Sequence, residues 1–324
     1  MIFETINNRG MNLEDADIFK AKLYNKAKKV GDERVFIDLW TDFKNYCDTL
    51  NLSIDDVFRY YSHIIRGKEG ITSSEKNLRE FFTNEKFSPF ELKKYNEVLE
   101  DLFKIIGVFE FFNQEKIKNS EAAKWMQIID AYTNQYPKYA IINYLFVNNL
   151  IINMNFVAFL KSLTRYIYFQ GSTTTVKFEI YNIIKQISFN LEISPYCKED
   201  IALEYFNFLG RLKKGFALLA FYLNRETALS SYNIDKIINL KDEKHLSIDW
   251  EGVNIEEVID SIGNFVVIDL PKRNVNFVRK YEYYKVSGIE NVRAIFKEGS
   301  FKYTDFIDRE NQLKNRLVEF FKGV

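Results

Sequence analysis

The run AIINYLFVNNLIINMNFVAFL, Ala140 to Leu160, is the longest apolar stretch of the sequence, and the fold class turns on how it is read. It has the length of a bilayer-spanning helix, but Asn143, Asn148, Asn149, Asn153 and Asn155 interrupt it. Each amide is costly to place in hydrocarbon, so the run reads as buried helices of a folded core and not as a membrane span. Further helical patterns lie on both sides of it, over roughly 120–132, 137–147, 155–169, 176–189 and 199–223.

Helix starts are marked upstream. Ser53 with Asp56 precedes the apolar face Val57, Tyr61, Ile64, and Thr72 with Glu75 precedes Leu78 and Phe82. Ser88-Pro89-Phe90-Glu91 puts serine at the N-cap, proline at the first helical position and glutamate three residues after the cap. With prolines only at 89, 137, 195 and 271 and short connections between patterns, a mainly α, multi-helix body is expected. After Asn233 the texture changes: Ile234 to Ile238 and Phe265 to Leu270 read as short strands, and a last helix covers about 304–321. This makes a small C-terminal α+β domain, with a boundary near Ser230. At the other end, Met1 to Ile6 alternates like a strand and runs into the turn Asn7-Asn8-Arg9-Gly10. A lone strand is not stable, so it needs a partner later in the chain or in a missing preceding segment.

Apolar residues at 47% and charged residues at 28% fit a folded globular protein of 324 residues. Lys plus Arg equals Asp plus Glu at 45 each, so no long-range positive field gathers nucleic acid, and any such contact must be a local patch. Two cysteines, Cys47 and Cys197, with no spaced framework, suit a reducing compartment and exclude a zinc site built on cysteine. The start MIFETINNRG has no basic leader followed by an apolar run, and the expected location is cytoplasmic, with no membrane partner.

FETINNRGMNLEDADIFKAKLY, Phe3 to Tyr24, resembles the closing segment of the N-terminal, ParB-like domain of GmrSD-type restriction endonucleases, with Phe3, Asn7, Gly10, Leu13, Asp17 and Lys20 in the matching places. The DGQQR-type signature that the family carries upstream is absent from this sequence, so nucleotide hydrolysis is not expected of the chain. KKGFALLAFYLNRE, YNIDKIINL, SIGNFVVIDLPKRNVNFVRKYEYYKVS and DFIDRENQL resemble the family's divergent HNH nuclease domain. The resemblance thus runs from Phe3 to Leu313 and implies a remnant N-terminal domain at 1–25, a helical body at 26–230 and an HNH-like ββα domain at 231–324.

Carried over residue by residue, it puts the acidic-histidine pair on Asp235-Lys236, the GN element on Gly263-Asn264, the later asparagine on Asn274 and the closing-helix lysine on Lys280. Asp235 and Asn274 would be the hard oxygen ligands of Mg2+ or Mn2+. Lys236, Asn264 and Lys280 fill the catalytic positions, but a lysine protonated at neutral pH is a poor general base, and Asn239 replaces the proline expected three residues on. His245, nine residues past the motif, is a remote substitute base; otherwise it reads as an exposed loop histidine, and His63 reads as a surface or boundary residue of a helix.

Between Phe265 and Tyr303 eight basic residues face four acids, with Lys272, Arg273, Arg279, Lys280 and Lys285 interleaved with Phe277, Tyr281, Tyr283 and Tyr284. These could follow a phosphate backbone and stack on bases, or be a solvated helix with an aromatic core stripe. Just upstream, 241–260 holds seven acids against two bases and would repel DNA. The resemblance therefore implies a truncated, DNA-directed restriction or phage-defence protein with a weakened or inactive nuclease site. The alternative is a non-catalytic interaction subunit that pairs with a separately encoded N-terminal partner.

Overall fold

A computed structural model describes residues 14–170, 173–193, 200–207 and 209–323. The strand and turn expected over Met1–Gly10, and with them Phe3, Asn7, Gly10 and Leu13 of the family motif, lie outside the described residues, as does Cys197.

In chain order the first helices are α1 (Asp15–Lys28), α2 (Glu33–Thr49), α3 (Ile54–Lys68), α4 (Leu78–Asn84), α5 (Pro89–Leu92) and α6 (Tyr95–Lys116). Then come α7 (Glu121–Asp130), α8 (Tyr136–Val147), α9 (Met154–Gln170), α10 (Thr173–Ser188) and α11 (Lys213–Tyr222). The C-terminal part consists of β1 (Asn233–Lys236), α12 (Ile255–Val258), β2 (Phe265–Ile268), α13 (Phe277–Lys285), α14 (Glu290–Arg293) and α15 (Tyr303–Lys322), with short 3-10 turns between them. The mainly helical class and the small antiparallel sheet are as expected. No helix among the described residues is long and apolar enough to cross a membrane.

The asparagines that follow Val147 do what their chemistry suggests, whereas Asn143 is buried inside α8. α8 stops at Val147, Asn149 and Leu150 take left-handed backbone (φ 51° and 64°), and the Asn153 side chain accepts the Phe156 N–H at 3.0 Å to start α9. The apolar run thus becomes two helices separated by polar turn chemistry.

The chain forms two compact units. The first comprises Met1–Asn113, Lys138–Ile151 and Lys177–Ile193, and the second Gln114–Pro137, Ile152–Val176 and Ser194–Val324. In the first, Ser53 caps α3 by accepting the Asp56 N–H at 3.0 Å, and the face Val57, Tyr61, Ile64 is buried as its spacing predicts. Phe19, Phe58, Phe82 and Phe90 pack with ring centroids 4.5–6.0 Å apart. Such pairs add about 0.5–1.5 kcal/mol each beyond their burial. The expected helix start at Thr72 and Glu75 is corrected: the next helix begins at Leu78 with Asn77 as its cap, and Glu75 turns instead to His63 and Lys177.

In the second unit the helix expected over 199–223 is broken. Leu203–Asn207 and Gly210–Leu212 are 3-10 turns, and Gly210 sits at φ +51°, where a β-carbon is strained, so among the described residues of this stretch only Lys213–Tyr222 is α-helical. The Tyr168 hydroxyl on α9 donates to the Ile128 carbonyl of α7 at 2.7 Å, and Trp125 of α7 stacks on Phe320 of α15 at 5.4 Å. α11 packs on α15 and β2. Residue 230 is therefore not where the compact units part: the C-terminal segment shares its core with helices from the middle of the chain.

β1 and β2 pair antiparallel, with Asn233 opposite Ile268 and Lys236 opposite Phe265. A two-stranded sheet is marginal alone. Here all of β2 is buried, and Val266, Ile268, Trp250, Tyr284, Phe296 and Phe301 belong to one hydrophobic cluster around the hairpin.

Candidate functional site

Beside the hairpin lies a cleft of about 440 Å³ whose lining includes Asp235, Asn239, Lys272, Arg273, Asn274 and Lys280. β1 supplies Asp235, the segment between β2 and α13 supplies Lys272, Arg273 and Asn274, and α13 supplies Lys280. Asp235, Asn274 and Lys280, separated by up to 45 residues in sequence, are thus brought to one place.

α13 is oriented by its aromatic stripe. Asn276 caps it by accepting the Arg279 N–H at 3.2 Å, and Phe277, Tyr281 and Tyr284, at helical spacing, all pack on Phe296. Of the aromatics of the basic segment, Tyr284 is therefore core, and Phe277, Tyr281 and Tyr283 are half-buried against the same cluster. Lys280 shares this inward face: its side chain is only 1% exposed, and its ammonium donates to Asp235 Oδ2 at 2.9 Å and to the Lys236 carbonyl. The Tyr284 hydroxyl donates to the same Oδ2 at 2.7 Å. Burial draws Lys280 below the ordinary lysine range, against the pull of the Asp235 charge. Burial and the same carboxylate push the Tyr284 phenol well up, so it remains a donor.

The Lys236 side chain is not part of this arrangement. Its ammonium lies over the Phe265 ring, 5.4 Å from the centroid, and 3.4 Å from Asp260, which Lys213 also holds at 2.5 Å. Neighbouring strand residues project to opposite faces, so Asp235 lines the cleft while Lys236 reaches another acid.

Asn264 is fully buried: its amide oxygen accepts the Ile238 N–H at 2.8 Å, and its nitrogen donates to the Ile238 carbonyl at 2.9 Å and the Ile259 carbonyl at 3.3 Å. It clamps the chain leaving β1 to the entrance of β2 and does not reach the cleft. Gly263 beside it is needed for close approach, since a β-carbon there would stand 2.9 Å from Glu310 Cβ and Phe306 Cε2 of α15.

Asn239, in the place of the expected proline, opens the 3-10 turn Leu240–His245, and its backbone N–H and side-chain amide both donate to Asp242 Oδ2, at 2.9 and 3.1 Å. Asp242 is buried and also accepts the Phe277 N–H at 3.3 Å, tying that turn to the start of α13. The sequence reading missed Asp242 and Tyr284 as partners of the site. The three-residue spacing from Asn239 was the available signal for the first, and nothing local marks the second.

Lys280, being buried, does not belong to an open basic patch as expected. Lys272 and Arg273 are exposed at the cleft, whereas Arg279 and Lys285 are exposed on α13 but do not line it. His245 is exposed at the end of its 3-10 turn and does not line the cleft. His63 is not a surface residue: at 1% exposure its Nε2 lies 2.8 Å from Glu75 Oε1, and its ring lies 4.0 Å from that of Tyr139.

Magnesium and manganese sites need hard oxygen donors, commonly one or two carboxylates completed by substrate phosphates. The cleft offers a single carboxylate, with an ammonium and a phenol already on one of its oxygens. The Asn274 amide oxygen takes a long, weak contact of 3.5 Å from the Lys241 ammonium. Among the described residues no group of three or more His, Cys, Asp or Glu side chains could hold a metal ion. The residues therefore do not fit the divalent ion that the family resemblance implies. No family model, no curated protein and no solved structure matches the chain.

Proposed function

We propose that this chain is a DNA-directed protein of the GmrSD restriction or phage-defence kind, in which the cleft beside the hairpin holds a phosphate backbone without cutting it. One juxtaposition carries the reading. Asp235, Asn274 and Lys280, the positions that the resemblance assigns to the nuclease site, line one cleft together with Lys272 and Arg273.

HNH hydrolysis needs a metal against the scissile phosphate and a base to take a proton from water. In this cleft no imidazole is present, and Asp235 is engaged by Lys280 and Tyr284. What it retains is phosphate recognition: with the Asp235 and Lys280 charges mutually compensated, Lys272 and Arg273 leave the lining net positive, and a guanidinium matches two phosphate oxygens at once. Because the whole chain carries no net charge, binding rests on few contacts and is weak and salt-sensitive.

Fluorescence anisotropy with a labelled duplex tests this. Measurable binding at low salt that falls several-fold in Lys272→Glu/Arg273→Glu supports the reading, and binding unaffected by that double reversal contradicts it. In parallel, plasmid nicking with magnesium or manganese should stay at background. Robust metal-dependent cleavage by the unaltered chain, lost on Asp235→Ala, would return the site to the working nucleases.

A further inference from the structure

We propose that the buried Lys280 ammonium takes the place of a divalent metal at Asp235, so that the cleft holds its phosphodiester ligand independently of divalent ions. The phosphodiester part of this inference rests on the function proposed above. The cation substitution itself rests on geometry alone.

A metal at Asp235 would have to share the carboxylate with an ammonium 2.9 Å from Oδ2, on which the Tyr284 phenol also converges at 2.7 Å. Two cations on one carboxylate repel, so a divalent ion at Asp235 is disfavoured for as long as the ammonium stays. Lys280 has nowhere near at hand to go. Its side chain is 1% exposed, a backbone carbonyl, that of Lys236, holds it from a second direction, and its helix is fixed by Phe277, Tyr281 and Tyr284 against Phe296. The second expected ligand, Asn274, also has a lysine as its neighbour, Lys241 at 3.5 Å. Both oxygen positions that the resemblance assigns to a metal thus face ammonium groups. Lys272 and Arg273 remain exposed at the cleft to meet an anion directly.

The probe is Mn2+ itself, followed by electron paramagnetic resonance on the full chain, in the unaltered protein, Lys280→Met, and the double variant Asp235→Asn/Lys280→Met. The double variant removes both charges together, a change buried pairs commonly tolerate, and serves as the baseline without a site. The unaltered chain should match this baseline. Lys280→Met should gain a manganese site tighter by about tenfold or more, the scale on which a ligand's immediate partners change metal affinity.

An unaltered chain that binds manganese more tightly than the double variant overturns the proposal, as does a folded Lys280→Met that gains nothing. If circular dichroism shows Lys280→Met unfolded, the comparison of the unaltered chain with the double variant still decides. Duplex retention is the second readout: equal affinity in EDTA and in magnesium at matched ionic strength is expected, and retention that requires magnesium overturns the proposal. A chain that retains no duplex under either condition defeats the DNA reading, and the manganese comparison alone then decides on the internal cation.

Discussion

His63 with Glu75 in the first unit, and Lys280 with Asp235 in the second, each set a basic side chain of about 1% exposure against a carboxylate. The two pairs solve that problem differently. His63 lies against the rings of Tyr139 and Tyr181, at 4.0 and 5.8 Å, and burial drives its pKa below 6.5 despite Glu75, with the Arg66 and Arg59 charges adding to the shift. It is a core residue that avoids charge. Lysine cannot easily do the same, and Lys280 is held by Asp235 Oδ2 and the Lys236 carbonyl at the wall of a cleft that also carries Lys272 and Arg273. Burial of a basic group does not make a site. What distinguishes the second pair is the cleft and the exposed cations beside it.

The sharpest way to break this comparison is to remove one member of the second pair at a time. Asp235→Ala leaves a buried ammonium without its counter-charge and should cost on the order of 3 kcal/mol in denaturant unfolding. Lys280→Met leaves a carboxylate of 23% exposure that water can still reach, and should cost clearly less. Equal costs would mean that Lys280 is not the dependent partner. Asn264→Ala should cost roughly 2 kcal/mol, because the Ile238 N–H and carbonyl it serves are left unpaired in the core. A neutral result there would remove its role as a clamp.

The first pair predicts a pH effect of definite sign. The folded pKa of His63 lies below its ordinary 6.5, so as pH falls past that value the unfolded chain takes up a proton that the folded chain refuses. Stability is therefore lost on acidification below about 6.5, by at most about 1.4 kcal/mol per pH unit, and the loss levels off once pH falls below the folded value. His63→Phe should flatten this component in unfolding curves taken from pH 7 to 5. An unchanged slope would mean that His63 is charged in the fold.

The smallest effect is expected at Lys236. Lys236→His should produce no metal-dependent nicking, because the side chain leaves β1 toward Asp260, and should change stability by under about 0.5 kcal/mol, as for exposed ion pairs. Nicking gained by this variant would show that an imidazole at 236 does reach the cleft.

Much of this architecture is legible in the sequence. The caps at Ser53 and Ser88 and both strands lie where local chemistry puts them, and of the residues that the resemblance assigns to the nuclease site, Asp235, Asn274 and Lys280 line one cleft while Asn264 and the Lys236 side chain do not. The interior of the site was not legible. A lysine is almost never fully buried unless paired, so Lys280 reads by default as part of a solvated basic face, and its partner lies 45 residues away. The same default hid His63, whose place in the core depends on Tyr139 and Tyr181 from distant helices. Gly210 breaks the expected 199–223 helix through a backbone angle that periodicity does not report.

The central claim is that Lys272 and Arg273 contact phosphate directly, with no divalent ion required. The salt dependence of duplex binding in EDTA tests it, comparing the unaltered chain with Lys272→Glu/Arg273→Glu. If the two side chains each neutralise a phosphate, the slope of log K against log salt becomes shallower by roughly 1.8 in the double variant, at about 0.9 per contact. An identical slope in the two proteins would contradict the claim and place any DNA contact elsewhere on the molecule.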